Sequence, residues 1–348
     1  MNNINHKMIQ LARESRGYTQ TELAEKLNIP QGNLSRMERG DIGIKDEHLN
    51  KLSEMLDYPV DFFHLTNQIC TTDTHYRKAI AIEQKVKLKA EALMNIYKFN
   101  IEEMLKSLDI SLNIPSLSEL YDSPEKVAKY LRSFWKIARG SIDNLVQIIE
   151  NNGIVVIHAD FESEKIDGRT IVTDTGHPII FVNKKSSGDR QRLTIAHELG
   201  HVIMHVNKLA TFAIDEEEEA FRFAIEFLMP FSECEYDMND KLSIEKLADM
   251  KRTWKISMQS ILYRAQKQQL VTYNRCRYLW SQFSTKGWRK KEPIEITVEN
   301  PTLIDRMVRT FNDKLGYSKQ EIAKMFTLNL KEFEDRYFQE HKQKLRIV

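Results

Sequence analysis

The sequence predicts an α+β fold that is predominantly helical, and three observations carry that prediction. Residues 1–65 hold only short helical segments separated by turn residues. Three short β-branched runs fall between Gly153 and Asn183. Apolar residues at steps of three and four fill most of what remains. A chain of 348 residues has room for two or three domains, each with its own core.

Bulk properties narrow the class. The net charge of +1 carries no global signal for nucleic acid, membrane or an acidic partner. Three cysteines, Cys70, Cys234 and Cys276, are far apart, and no C-x-x-C pair exists. A disulfide framework and a cysteine zinc knuckle are therefore excluded. The first residues have no apolar signal region, and no apolar run approaches the roughly 18 residues of a membrane span. A soluble cytoplasmic protein with no membrane partner is expected.

In the first 65 residues the spacing predicts helices near 5–15, 19–27, 31–38, 46–56 and 59–64. Breaks fall at Gly17, Asn28–Pro30, Gly40–Gly43 and Tyr58–Pro59. The stretch "GYTQTELAEKLNIPQGNLSRMERG" (17–40) reads as a helix–turn–helix. Thr19 caps the first helix, Leu23, Ala24 and Leu27 face inward, and Leu34 and Met37 anchor the second. That leaves Gln31, Gly32, Asn33, Ser35 and Arg36 outward, toward a major groove. Gln31 and Asn33 suit adenine edges, Arg36 suits guanine or phosphate, and Gln20 can position a phosphate. The segment resembles the Xre/lambda-repressor-like family, including its "LSRMERG" run. Residues 1–65 carry eight Lys and Arg against ten Asp and Glu. Operator binding therefore calls for a homodimer, or for help from the basic "HYRK" at 75–78.

Between Glu83 and Leu108 a stripe of Val86, Ala90, Leu93, Tyr97, Ile101, Met104 and Leu108 marks a longer helix. It serves either as packing in its own domain or as a dimer seam. Residues 111–124 form a linker. Ser123–Pro124 then starts a helix through about Ile137, and a second runs Ile142–Glu150. The runs "GIVVIHAD", "GRTIVTD" and "HPIIFVN" follow as strands, with Thr175–Gly176 turning between the last two. The third is expected at a sheet edge open to an extended peptide. His158 and His177 are read as structural.

The chemistry concentrates in "RLTIAHELGHVIMH" (192–205). On a helix, His197 and His201 share one face and can present two imidazoles to one Zn²⁺. Glu198 stands beside them to take a proton from the attacking water. A shuffled chain with 10 His and 50 acidic residues would contain H-[DE]-x-x-H with a probability of at most roughly 4%, so a third ligand is needed to make the case. The spacing to His205 rules out the metzincin pattern, leaving it as packing or an accessory group. Downstream, "DEEEEAFRFAIEFLMP" (215–230) forms a second helix with Ala220, Ala224 and Phe227 on a close-packing face. One of its first-turn glutamates can then reach the metal.

"GDRQRLTIAHELGHVIMH" with "EEEAFRFAIEFLMP" resembles the ImmA/IrrE family of zinc metallopeptidases, and the resemblance extends over most of the chain. It implies a zincin-like centre with His197 and His201 as zinc ligands, Glu198 as general acid/base and Glu217 as third ligand. Where the family usually has Asn, this chain has Phe221. On this reading the domains are 1–66, a helix–turn–helix; 67–122, a helical linker or dimerisation helix; 123–236, the metallopeptidase-like domain; and 237–348, a C-terminal helical region. In that last region "GYSKQEIAKMFTLNLKEF" (316–333) echoes 17–34 at an offset of 299, with Leu330 and Glu332 at the places of Gln31 and Asn33. The echo suits packing or ligand sensing better than reading DNA. Lys286, Arg289, Lys290 and Lys291 make the densest basic run.

The resemblance implies a DNA-binding regulator whose zinc endopeptidase cleaves a protein such as a repressor. The alternative is an antitoxin or repressor that binds its operator and a cognate toxin, with the zinc fold as scaffold or sensor.

Overall fold

The computed structural model describes residues 4–70, 82–116, 123–205 and 215–338; the basic run at 75–78 lies outside them. The head comprises α1 (His6–Ser15), α2 (Gln20–Leu27), α3 (Gln31–Arg39) and α4 (Asp46–Leu56), closed by a 3-10 turn over Val60–His64. Thr19 caps α2 and exchanges hydrogen bonds with Glu22, a complete capping box. Asn28 then takes a left-handed conformation (φ 55°) that reverses the chain into Pro30 and α3. Leu23, Ala24, Leu27 and Leu34 bury against Met8, Ile9, Leu11 and Ala12 of α1.

After α5 (Gln84–Leu105), the helices α6 (Pro124–Phe134) and α7 (Leu145–Asn151) lead into three strands. These are β1 (Val155–Ala159), β2 (Gly168–Val172) and β3 (Pro178–Asn183). The sheet order is β1-β3-β2, with β3 parallel to β1 and antiparallel to β2. The expectation of an edge strand at "HPIIFVN" is therefore corrected: β3 is central and buried at all six positions. Its unbroken apolar run is covered on both faces, but the number of neighbours is set by pairing: β1 is equally apolar at Val155–Ile157 and sits at an edge, as does the partly buried β2.

Strand alternation divides two cores across this sheet. Val155, Ile157, Ile179 and Phe181 join one cluster with the head and α5, while Val156, Ile180 and Val182 join the other. On the second side lie α8 (Gly188–Met204), α9 (Glu216–Leu228), the one-turn α10 (Phe231–Cys234), α11 (Ile244–Trp254), α12 (Met258–Lys267) and α13 (Tyr273–Thr285). Buried Lys251 of α11 bridges Asp189 of α8 (2.7 Å) and Glu292 (2.8 Å).

The last helices, α14 (Leu303–Asp313), α15 (Lys319–Met325) and α16 (Leu330–Tyr337), return to the first side and share a core with the head. The residues grouped by sequence into one C-terminal region thus divide between the two cores. The helix α5 is buried almost all round, with Ala92, Met94, Ile96, Phe99, Ile101 and Met104 inside. It packs on α1, β2 and α14 of its own chain.

The internal echo is a structural repeat. Ser318 and Glu321 form a capping box like that of Thr19 and Glu22, and Thr327 takes the left-handed position of Asn28 (φ 51°). Its second helix faces protein. Arg16, the C-cap of α1, makes paired hydrogen bonds to Glu332 (3.0 and 2.6 Å), and Arg336 donates to the same carboxylate. Asn329 donates to the Asp57 carbonyl (3.1 Å). Burial pushes the Glu332 carboxyl up, but the hydrogen bond from Arg16 and the charge of Arg336 outweigh it and bring it below the ordinary value of 4.5. A lowered carboxylate stabilises the fold above its unfolded pKa, and that contribution disappears as pH falls through the folded value. Glu332→Gln should therefore cost about 2–3 kcal/mol in urea unfolding at pH 7, and the penalty should shrink below pH 4.5.

Candidate metal centre and nucleic-acid interface

The metal-centre candidate is set by how closely α9 approaches α8. Gly200 lies in the middle of α8, where a Cβ would sit 3.0 Å from Phe223 and 3.2 Å from the Ala220 backbone. Ala220 and Ala224 are fully buried against it. Removing side-chain bulk at this crossing lets the first turn of α9 overhang the histidines. That turn is started by Asp215, whose carboxylate accepts from the Glu217 amide (3.2 Å).

The result is a triangle of donor atoms. His197 Nε2 and His201 Nε2 are 3.1 Å apart, and the Glu217 oxygens stand 3.4 Å from the first and 3.5 Å from the second. Ligands at zinc-like bond lengths around a tetrahedral ion are separated by about 3.3–3.4 Å. Three lone-pair atoms gathered at that spacing, with no hydrogen-bond donor side chain among them other than the imidazoles, fit a small divalent cation. Among the described residues this is the one group of His, Cys, Asp and Glu so arranged. The imidazoles, His197 first, hold the Glu217 carboxyl far below the ordinary range, which keeps it anionic.

Glu198 is held from the opposite wall. Alternation turns Thr170 of β2 toward α8, and its hydroxyl donates to Glu198 Oε2 (2.8 Å). At Gly168, the start of the same strand, a Cβ would meet Thr194 and the Phe181 carbonyl, so glycine keeps strand and helix close. The cleft between them measures about 340 Å³ and is rimmed by Lys165, Arg169 and Arg190. His205 stands behind the triad, with Nδ1 2.9 Å from His201 Nδ1 and Nε2 2.8 Å from Glu219. It is outside the donor triangle. His177 Nε2 contacts the Ile110 carbonyl (2.9 Å), away from the cleft.

In the head, Gln31, Gly32, Asn33 and Arg36 are exposed on α3, and Ser35 is half-buried. Leu34 and Met37 are buried beneath them. Gln31 Nε2 donates to Gln20 Oε1 (2.8 Å), Gln20 Nε2 donates to Glu38 (2.7 Å), and Arg13 holds Glu38 from the core (2.6 Å). This relay fixes both glutamines on the face of the helix–turn–helix.

Residues 149–266 match the family model described as an IrrE N-terminal-like domain, and residues 9–63 match the one described as helix-turn-helix. The chain joins a helix-turn-helix domain to an ImmA/IrrE-type domain. No curated protein matches it.

Within the IrrE-like domain, Phe221 lies edge-on to Tyr263 (5.6 Å) and lines the cleft. His197 Nδ1 is buried without a hydrogen-bond partner, so nothing polar orients that imidazole from behind. On α13 and the loop after it, Lys286 and Arg289 lie over Trp288 and Trp280, and Lys290 and Lys291 are exposed. No helix of the described residues is long and apolar enough to cross a membrane. Sequence reasoning missed Gly200, Thr170 and Glu38. Only Gly200 carried a usable signal, since a glycine inside an apolar helix marks a close approach. Gly200→Val should lower stability by about 1–3 kcal/mol and weaken metal uptake, read by thermal unfolding and by Zn²⁺ titration against a chromogenic chelator.

Proposed function

We propose that this chain is a DNA-binding transcriptional regulator whose IrrE-like domain is a zinc-dependent endopeptidase that cleaves a regulatory protein such as a repressor. The donor triangle of His197, His201 and Glu217, with Glu198 beside it, carries the reading. Bound zinc would polarise the scissile carbonyl and make the attacking water acidic. Glu198 then takes the proton from that water and returns it to the leaving amine. The Thr170 hydroxyl holds one oxygen of that carboxylate and so restricts its rotamer beside the cleft. The substrate enters as an extended segment along β2, the edge strand that carries Thr170 beside Glu198. A cleft of about 340 Å³ admits a few side chains, not a folded domain.

At the other end, Gln31, Asn33 and Arg36 read bases in a major groove while Gln20, tied to Gln31, positions a phosphate. The acidic head favours binding as a homodimer, which doubles the phosphate contacts. A second reading, an antitoxin or repressor that uses the zincin fold as scaffold or sensor, draws on Phe221 and on the unpartnered His197 Nδ1.

Glu198→Gln should keep its zinc stoichiometry and lose at least about 100-fold in cleavage of the partner protein. A variant that regulates like wild type, with no partner cut by either protein, favours the scaffold reading. Glu217→Ala should bind zinc at least about tenfold more weakly by competition with a chelator. Gln31→Ala/Arg36→Ala should lose about 2–4 kcal/mol of operator affinity in a gel-shift titration and leave zinc content unchanged.

A further inference from the structure

From Met250 to Lys291 the chain carries eleven Lys and Arg and no Asp or Glu, while the other 306 residues sum to a net charge of −10. Part of that excess is consumed by the fold. Lys251, Arg252, Lys255 and Arg264 are engaged by Asp189, Asp249, Asp143 and Glu226. The other seven cations sit on the last turn of α12, on α13 and in the loop after it. Among the described residues those seven form no ion pair.

Aromatic rings gather these cations into one surface. Trp280 of α13 donates its indole N–H to Gln266 of α12 (3.0 Å), next to Lys267, and Arg289 lies over its ring at 4.2 Å. Lys286 lies over Trp288 (5.2 Å) and Arg275 over Tyr278 (5.3 Å). The loop thus folds back along α13, and Arg277, Arg289, Lys290 and Lys291 are exposed. Exposed Ser281 and Ser284 follow Arg277 by four and seven positions, on the same face of the helix. Acidic groups do not cancel the patch. Glu292 turns inward to Lys251 (2.8 Å) and to the Met258 and Gln259 amides (2.9 and 3.0 Å). At the margins stand Glu245, which feels Lys286 and Arg275, Asp240 on the Thr272 amide, and exposed Glu295.

We propose that this α13 surface binds the phosphate backbone of duplex DNA without reading its sequence, as a second contact besides the helix-turn-helix. Charge complementarity carries the choice of partner. The chain already has a helix-turn-helix domain, yet residues 1–65 hold eight Lys and Arg against ten Asp and Glu. The head therefore has little phosphate attraction of its own, and the α13 surface supplies the counterion release that it lacks. A ring beneath a long cationic side chain orders it before binding and leaves its donors outward. Rings capped in this way suit phosphate contact rather than base stacking, and the exposed serines add neutral donors. The contact is independent of α3 and of the donor triangle, so it stands or falls apart from both functions proposed above.

The test is fluorescence anisotropy of a labelled duplex of about 20 base pairs and arbitrary sequence, titrated with the full chain at roughly 50 to 200 mM KCl. The parent protein carries Gln31→Ala/Arg36→Ala, which removes base reading by α3. Saturable binding with a Kd of about 1–100 µM is expected, weakening steeply with salt. Adding Arg277→Glu/Arg289→Glu/Lys290→Glu should weaken it at least about tenfold and lower the salt slope by about 2–3. Adding Lys106→Glu/Lys314→Glu/Lys324→Glu instead, the same charge change on exposed cations outside the patch, should cost less than about threefold. Should the patch reversal fail to fold, the milder Lys290→Gln/Lys291→Gln decides, with an expected loss of about threefold and a slope lower by about 1–2. The proposal is overturned if the parent does not bind, if the patch variants bind as the parent does, or if the control reversal weakens binding as much. It also fails if poly-L-glutamate displaces the labelled duplex as well as unlabelled duplex does, which would point to an acidic protein.

Discussion

The approach of α9 to α8 at Gly200 is the contact on which the rest of the IrrE-like domain depends. Two histidines at a spacing of four are easily supplied by one helix, but the third donor must come from elsewhere. Here it comes from the first turn of a helix whose Ala220 and Ala224 let its backbone ride against a glycine. A methyl group at Gly200 would meet Phe223 at 3.0 Å and the Ala220 backbone at 3.2 Å, so the helix that carries Glu217 would have to give way by a few tenths of an ångström. Packing and chemistry are thus one requirement at this crossing.

The small sheet has a similar double duty. Its central strand is apolar on both faces, and each face seeds a different core. One core supports the donor triangle and Glu198 beside it. The other joins the head to helices from the far end of the chain. Thr170 and Ile171 are neighbours on β2, yet one meets Glu198 and the other belongs to the core shared with α5. Head and peptidase-like body therefore meet through two layers of side chains on one sheet.

Much of this was legible in the residues. The five helical segments of the head, the turn at Asn28–Pro30 and the paired helices of the candidate centre follow from capping, periodicity and small-residue faces, whereas the choice of Glu217 among the first-turn glutamates came from the family resemblance. The edge assignment of β3 did not survive, because periodicity alone does not say how many neighbours a strand has. The destination of α14–α16 was also hidden: the echo of 17–34 showed in sequence, but its docking on Arg16 and Asp57 depends on long-range contacts that no local pattern encodes. Thr170 was invisible for the same reason, since a strand threonine acquires meaning only from the helix it faces.

The clamp between Arg16 and Glu332 spans 316 positions of sequence. During synthesis at about 5–20 residues per second, the head emerges roughly 15–60 s before its partner carboxylate exists. Over that interval the nascent head presents the surface that α15 and α16 later cover, and Arg16 faces water or whatever binds it first. A head module borrowed by another protein would keep the exposed face of α3 and lose this late-arriving support. The helix–turn–helix is portable; the ground beneath α1 is not.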